Sequence, residues 1–269
     1  MRIVNLASGS KGNSTFIGYN DSKILIDVGL TEKTIRERLT EINEDIKSIV
    51  GVCITHEHSD HIKALATLAK KYDIDFYVHK KLAESTELKS IIFKDGKLHT
   101  FENEKFLIGE LEICPFDTSH DAVSPVGFTV NVKNSVSKFG IITDTGIVSE
   151  KMKQALIGSK IVFIESNYDE MMLENGIYPY PLKRRIAGSQ GHLSNVQSVE
   201  LADYLFNNGT MCFVLSHLSE NNNTPEIAFL NYANHFENRG LVLDNDVFVR
   251  LSYQYKHGNN FNLLEDFNG

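Results

Sequence analysis

Four side chains of the types that bind metal ions lie within six residues, directly after an apolar segment. Residues 48–54 are apolar enough to predict a buried strand, which is followed by His56, His58, Asp60 and His61. Imidazole and carboxylate together suit zinc, manganese or iron, and the set contains no sulfur, which argues against a closed structural zinc site. The fold must therefore deliver the end of a buried strand to an open metal site.

The composition is that of a globular protein with a sizeable core. The chain has 269 residues, 42% of them hydrophobic, enough for one large α/β domain or two small ones. It contains no apolar run long enough for a membrane span and no apolar signal-peptide core, so we expect a soluble, cytoplasmic protein. The three cysteines form no CxxC pair, which favours a reduced compartment without disulfides.

The order of predicted elements indicates one domain over residues 1–269, a sandwich of two mixed sheets covered by helices. Strands are predicted at residues 2–6, 15–18, 23–27, 48–54, 76–78, 111–116, 127–132, 139–142, 161–164 and 211–215. Helices are predicted at residues 31–42, from 62 onward, and at 80–88, 149–156, 195–206 and 225–236. Capping signals mark two helix starts, at Ser194 and at Thr224. The second half of the chain thus echoes the first.

The segment Thr55-His56-Glu57-His58-Ser59-Asp60-His61 resembles the HxHxDH signature of the metallo-β-lactamase fold superfamily. The later ligand motifs of that family are matched in order by His120, Asp144 and His217, each of which follows an apolar strand. This resemblance spans nearly the whole chain. It implies an α/β fold in which two mixed β-sheets, flanked by helices, form a four-layer αββα sandwich.

The resemblance also implies a centre of two divalent metal ions, zinc, manganese or iron. One ion would be held by His56, His58 and His120, and the other by Asp60, His61 and His217, with Asp144 bridging. Two cations lower the pKa of a shared water, so a hydroxide can attack and no protein nucleophile is needed. Ser59 is then interpreted as a hydrogen-bonding partner near the ligands. Asp144 stands where the lactamases proper have a cysteine, so antibiotic hydrolysis is not expected.

Further segments resemble the YycJ/WalJ subgroup, regarded as 5′-to-3′ exonucleases on duplex DNA: residues 8–14, 165–169, 178–186 and 191–195. In the related RNase Z and phosphodiesterase branches, a histidine that opens a helix pairs with a glutamate and assists phosphodiester cleavage. His192 and Glu165 match those positions, and with Asp60 they are the predicted catalytic residues. Such a histidine can protonate the leaving oxygen when a carboxylate orients it. Alternatively, His192 has only a structural role beside the helix cap at Ser194.

One compact basic run precedes His192 and predicts contacts with substrate phosphates, formed by Lys183, Arg184 and Arg185, with Lys11 as a weaker candidate. The formal net charge of −8 argues against a generally basic nucleic-acid binder. Metal ions would offset part of that charge at the site, so the objection is weak. The predicted partner is therefore nucleic acid, in particular the ends of duplex DNA.

Two other functions stay open on the residues alone. The same dimetal centre serves hydrolases of small substrates such as cyclic phosphodiesters, thioesters or lactones, because fold does not fix function. A metal-bound regulatory scaffold without turnover is the third hypothesis. The complete ligand set and the added pair of Glu165 and His192 argue against a scaffold, which needs neither an open coordination position nor a proton donor.

Overall fold

The computed structural model describes residues 1–264, which form two seven-stranded mixed sheets. The first sheet contains β1 (Arg2–Ala7), β2 (Ser14–Tyr19), β3 (Ser22–Ile26), β4 (Gly51–Cys53), β5 (Asp75–His79), β6 (Leu98–Phe101) and β14 (Asn260–Asn262). Its strand order is β14-β1-β2-β3-β4-β5-β6. Pairing is antiparallel from β14 to β3 and parallel from β3 to β6.

The second sheet has the same pattern of pairing. It contains β7 (Phe106–Ile108), β8 (Leu111–Asp117), β9 (Val126–Val132), β10 (Lys138–Ile142), β11 (Ser159–Glu165), β12 (Cys212–Ser216) and β13 (Phe248–Leu251). Its order is β13-β12-β11-β10-β9-β8-β7, antiparallel from β7 to β10 and parallel from β10 to β13. Because the carboxyl ends of parallel strands meet at one edge, each sheet gathers several loops there.

Helices cover the outer face of each sheet. Those packed with the first sheet are α1 (Glu32–Glu41), α2 (Ser59–Ile62), α3 (Leu65–Lys71), α4 (Lys80–Ala83) and α5 (Thr86–Lys89). The second half contains α6 (Glu150–Leu156), α7 (Glu170–Asn175), α8 (Tyr180–Ile186), α9 (Asn195–Phe206) and α10 (Pro225–Asn238). The helix starts that carried capping signals are confirmed, since Ser194 and Gln197 form a capping box and Thr224 caps α10.

Three apolar clusters separate four layers. One cluster lies between the two sheets and includes Ile3, Phe128 and Phe163. A second packs the first sheet against helices α1 to α5, and a third packs the second sheet against helices that include α9 and α10. An αββα sandwich follows, as the sequence predicted, because each sheet has two apolar faces to cover.

The boundaries of several predicted elements differ from the structure. The strand predicted at 48–54 is limited to β4, because Asp45 caps a 3-10 turn at Ile46–Ser48 and delays the strand. The helix predicted at 80–88 is wrong as a single element: Ser85 caps a new helix, so α4 and α5 are separate. Helices α7 and α8 were not predicted.

Two further features of the described residues are the state of the cysteines and the length of the helices. Cys53 and Cys212 are buried, Cys114 is half-buried, and all three are free thiols. Among residues 1–264, each helix is too short or too polar to cross a membrane.

Candidate metal centre

The seven predicted metal ligands lie in segments that follow strands. His56 and His58 lie in the loop after β4, Asp60 and His61 lie in the short helix α2 that follows it, and the loops after β8, β10 and β12 carry His120, Asp144 and His217. Ligand atoms lie within 4.8 Å of one another in three overlapping groups: His56 with His58 and His120, Asp60 with His61 and His217, and His56 with His61 and Asp144. The structure therefore brings together all seven residues singled out from the sequence.

Three residues at this edge have left-handed backbone conformations. Asp27, Asp144 and His217 have φ angles of 59°, 58° and 56°, and each follows the end of a strand by one or two residues. Aspartate and histidine enter this region more readily than most side chains, but it still costs roughly 1 kcal/mol or more per residue. Such strain is typical of sites where side-chain direction matters more than local stability.

The distances between donor atoms fit a divalent cation. His58 Nδ1 lies 3.3 Å from His120 Nε2. Two nitrogens bound to one tetrahedral zinc ion stand about 3.3 Å apart, given bond lengths near 2 Å. On the other side of the cluster, Asp144 Oδ2 lies 3.2 Å from His61 Nε2, and Asp60 Oδ2 lies 3.5 Å from the same nitrogen. These spacings suit donor groups that share a cation.

Unpartnered buried atoms also point to a cation. In the described part of the chain, His56 Nε2, His217 Nε2 and Asp144 Oδ2 are buried without a hydrogen-bond partner. Buried polar atoms normally have a hydrogen-bond partner, so three such atoms without one, all on predicted ligands, indicate that a cation binds among them. Burial also lowers the pKa of His56 well below its usual range, and neighbouring histidines add to this effect. The neutral imidazole that results is the form that binds metal.

Asp27 and Thr55 fix the orientation of the ligands, and the sequence did not single them out for this role. Asp27 Oδ2 lies 2.8 Å from His61 Nδ1, and both of its oxygens accept hydrogen bonds from Thr55. A carboxylate behind an imidazole directs the other ring nitrogen toward the cluster. Ser59, which the sequence suggested for such a role, is exposed at the start of α2. The available signal was an aspartate at the end of an apolar strand.

Glu165 joins a ligand histidine to the predicted catalytic histidine. It is fully buried, and its Oε1 lies 2.8 Å from His217 Nδ1 and 2.9 Å from His192 Nδ1. The backbone N–H groups of Thr145 and Leu193 donate to its other oxygen at 3.0 and 3.2 Å. Burial alone raises the pKa of Glu165, but His192 and His217 outweigh it and lower the value to about 2. The carboxylate is therefore ionised.

The proton positions of the two histidines follow from this charge. An ionised carboxylate only accepts hydrogen bonds, so both Nδ1 atoms must carry protons. His217 then turns Nε2 toward the cluster. No residue in the range 1–264 hydrogen-bonds His192 Nε2, and the ring, 20% exposed, lines the cavity of the metal centre.

The metal centre opens into a cavity of about 170 Å³, whose wall includes Ser10, Asp121, Arg185 and His192 as well as five of the seven predicted ligands: His58, Asp60, His120, Asp144 and His217. Of the four predicted phosphate contacts, Arg185 alone lines this cavity. Lys183 and Arg184 line a separate groove beside Tyr180. Lys11 Nζ pairs with Glu220 at 2.7 Å and is turned toward Tyr255. The basic run is therefore divided between the metal cavity and a second groove.

The sequence matches a family model described as a β-lactamase superfamily domain over residues 22–215. Exodeoxyribonuclease YycJ of Bacillus anthracis is 35% identical over 243 residues, which cover 87% of this chain and 89% of the relative. Exodeoxyribonuclease WalJ of Streptococcus pneumoniae serotype 2 is 38% identical over 232 residues, 85% of this chain and 86% of the relative.

The fold has a solved counterpart in the metallo-β-lactamase fold protein YhfI from Bacillus subtilis, with a TM-score of 0.72 and 13% sequence identity. That match covers 97% of this chain and 98% of the other, and it concerns the fold alone. The superfamily follows from the domain match and the fold, and the subgroup from the two bacterial relatives. The chain belongs to the YycJ/WalJ subgroup of the metallo-β-lactamase fold superfamily.

Proposed function

We propose that the protein is a metal-dependent phosphodiesterase that acts as an exonuclease on duplex DNA in the 5′-to-3′ direction. The observation that carries the proposal is His192, a histidine outside the proposed ligand set whose Nδ1 donates to the ionised Glu165 at 2.9 Å. A hydrolase that relied on metal ions alone would not need an oriented imidazole at its mouth. Both bacterial relatives are named as exodeoxyribonucleases, which supports a DNA substrate.

The proposed ligand sets follow the donor groups. His56, His58 and His120 would hold one ion, while Asp60, His61 and His217 would hold the other, with Asp144 between them. When bound, two divalent cations such as zinc, manganese or iron supply an ionised water at neutral pH and positive charge for phosphate oxygens. The free thiols Cys53, Cys114 and Cys212 suit a reducing compartment, so we place the reaction in the cytoplasm.

The protein's own residues would then handle the leaving group. The His192 ring lines the cavity and its Nδ1 is paired with Glu165, so Nε2 of a protonated ring would donate to the oxygen that leaves when the phosphodiester breaks. The Glu165 carboxylate holds the ring in position by accepting a hydrogen bond from Nδ1. Because Glu165 also accepts from His217 Nδ1, one buried carboxylate orients both the proposed proton donor and a proposed ligand.

The test is digestion of duplex DNA labelled at either end, using purified protein loaded with zinc or manganese and an Asp60→Ala variant as control. We expect metal-dependent release of short products from the 5′ end and none from the variant. A lactone and a cyclic nucleotide are assayed in parallel, because the same centre serves hydrolases of both. Rapid turnover of either, with intact DNA, would overturn the proposal.

A further inference from the structure

Arg185 lies in the wall of the metal cavity and is held there by an acidic neighbour. Its Nε donates to Asp121 Oδ2 at 2.5 Å, and Asp121 Oδ1 lies 3.5 Å from His120 Nε2. Both side chains line the cavity that contains the proposed ligands. One carboxylate therefore separates the guanidinium from the metal centre.

The other edge of the guanidinium is available to a substrate. Within the part of the chain that the structure describes, the contact with Asp121 is its one hydrogen bond, so the N–H groups of Nη1 and Nη2 are uncommitted. The side chain is 61% exposed. A guanidinium held at one edge loses less conformational freedom on binding, and its other edge suits two oxygens of one phosphate.

The backbone around Arg185 is fixed against the metal centre by the loop that follows α8. His192 N donates to Ile186 O at 2.9 Å, while Gly191 O lies 3.0 Å from His120 Nδ1. A side chain at Gly191 would bring its Cβ to 2.1 Å from Ile186 O, so only glycine permits this approach. Helix end, catalytic histidine and a ligand are thus tied together, which keeps Arg185 at a constant distance from the site.

Arg184, the adjacent residue on the same helix, has different surroundings. Its guanidinium lies 5.9 Å from the centre of the Tyr180 ring, and Arg184 lines the second groove. Arg184 and Arg185 carry the same charge one position apart, but only Arg185 contacts the wall of the metal cavity. The pair offers a matched comparison between a directed contact and general surface charge.

We propose that Arg185 binds a non-scissile phosphate of the DNA strand that is cut, and that Asp121 is the positioning residue that aims it. The proposal rests on the proposed nuclease function and deepens it. Asp121 lies between Arg185 and His120. A phosphate bound at the free edge of the Arg185 guanidinium is therefore not the phosphate that reacts at the metal ions. DNA offers such a neighbouring phosphate at every step, whereas a small phosphodiester has only the reacting one.

The test compares Arg185→Gln, Arg184→Gln and Asp121→Asn with the wild type on two substrates, duplex DNA and bis(p-nitrophenyl) phosphate. For Arg185→Gln we expect the KM for DNA to rise about tenfold or more, because a charge-assisted bidentate contact is lost. The change in kcat should be much smaller. The fall in kcat/KM should be at least tenfold larger on DNA than on the small phosphodiester. Asp121→Asn should raise the DNA KM in the same sense, and Arg184→Gln should change it less than twofold.

Duplexes with a 5′-phosphate or a 5′-hydroxyl identify the source of the phosphate. If the wild type prefers the 5′-phosphate duplex and Arg185→Gln abolishes this preference, Arg185 binds the terminal phosphate. If Arg185→Gln loses the same activity on both duplexes, Arg185 binds an internal phosphate. Equal effects of Arg185→Gln and Arg184→Gln, or equal losses on DNA and the small phosphodiester, would refute the inference while leaving the nuclease function intact. A wild type that leaves DNA uncut refutes both. Metal content and melting temperature of each variant exclude loss of the fold as the cause.

Discussion

Glu165 shows how one buried side chain can set the chemistry of two others. Its carboxylate receives two backbone N–H groups and two imidazoles, and the favourable charge of the histidines overcomes the cost of burying it. If the carboxylate were neutral, neither His192 nor His217 would have its Nδ1 proton position fixed. The proton donor and the ligand therefore depend on the same ionised group.

His192→Ala should separate catalysis from metal binding. Removing a general acid typically costs 10²- to 10⁴-fold in rate, so we expect kcat for DNA to fall by about that factor. The metal content measured by elemental analysis should stay at the wild-type level, because the proposed ligands are retained. The matched control is His99→Ala, which removes another histidine that is paired with a carboxylate. His99 lies on β6, and its Nε2 is 2.7 Å from Asp75 Oδ1 on β5. A His192→Ala enzyme as active as the His99→Ala control would show that His192 only supports the helix cap.

The candidate ligands could be recognised from sequence, but the residues that hydrogen-bond to them could not. The HxHxDH segment concentrates its signal in six consecutive positions, whereas Asp27 is a single acid 28 residues before the Thr55 backbone N–H that it binds. Its role depends on β3 and β4 lying side by side, a long-range pairing that no local pattern reveals. Asp121 was likewise visible only as the neighbour of His120, because its contact with Arg185 spans 64 positions.

At the scale of elements, the site consists of loops and short helices whose backbones approach one another closely at Gly29 and Gly191. Helix α8 escaped prediction because it is seven residues long and contains a proline in its first turn, where the missing N–H is tolerated. The basic run was recognised from sequence but was not predicted to be a helix, so its division between the metal cavity and a second groove was not foreseen. The periodicity of a helix decides which face each residue occupies. Because no helix was predicted here, nothing in the sequence distinguished Arg184 from Arg185.

Gly29→Ala should damage the metal centre from the loop after β3. A Cβ at Gly29 would lie 1.5 Å from the backbone oxygen of Asp60, so the ligand loop must move away. Overpacking of this kind costs about 1–3 kcal/mol or more, and displacement of Asp60 should also weaken metal binding. Urea unfolding and metal titration measure the two effects.

Gly258→Ala is the control for that substitution, because its added Cβ would make only ordinary contacts, 3.6 Å from the Asn5 side chain. It should change the free energy of unfolding by less than about 1 kcal/mol. Equal stability and equal metal affinity of the two variants would mean that the loop after β3 does not hold Asp60 in position.

At the scale of the whole molecule, two sheets of matching topology meet at one core, and the metal centre lies where strands β4, β8, β10 and β12 end. The alternation of strands and helices made the two mixed sheets predictable, because each half contains its own antiparallel and parallel portions. The closing strands β13 and β14 were not predicted. They are four and three residues long, and their partners β12 and β1 lie far away in sequence, so only tertiary pairing defines them.

Metal ions should contribute measurably to the stability of this whole assembly, because the ligands come from both sheets. A ligand present at a hundred times its Kd stabilises the native state by about 2.7 kcal/mol. For a domain of this size each kcal/mol corresponds to roughly 2–4 °C, so chelation should lower the melting temperature by about 5–10 °C. Since protons compete with metal for the imidazole nitrogens, the difference should shrink as the pH falls.

Differential scanning calorimetry with and without EDTA measures that difference. His217→Ala removes a ligand from the loop after β12 and should abolish most of the metal-dependent increment, while His99→Ala should retain it. The comparison matters because chelation could also act on a cation bound elsewhere. If His217→Ala keeps the full increment, the stabilising ion does not bridge the two sheets, and the proposed ligand sets must be redrawn.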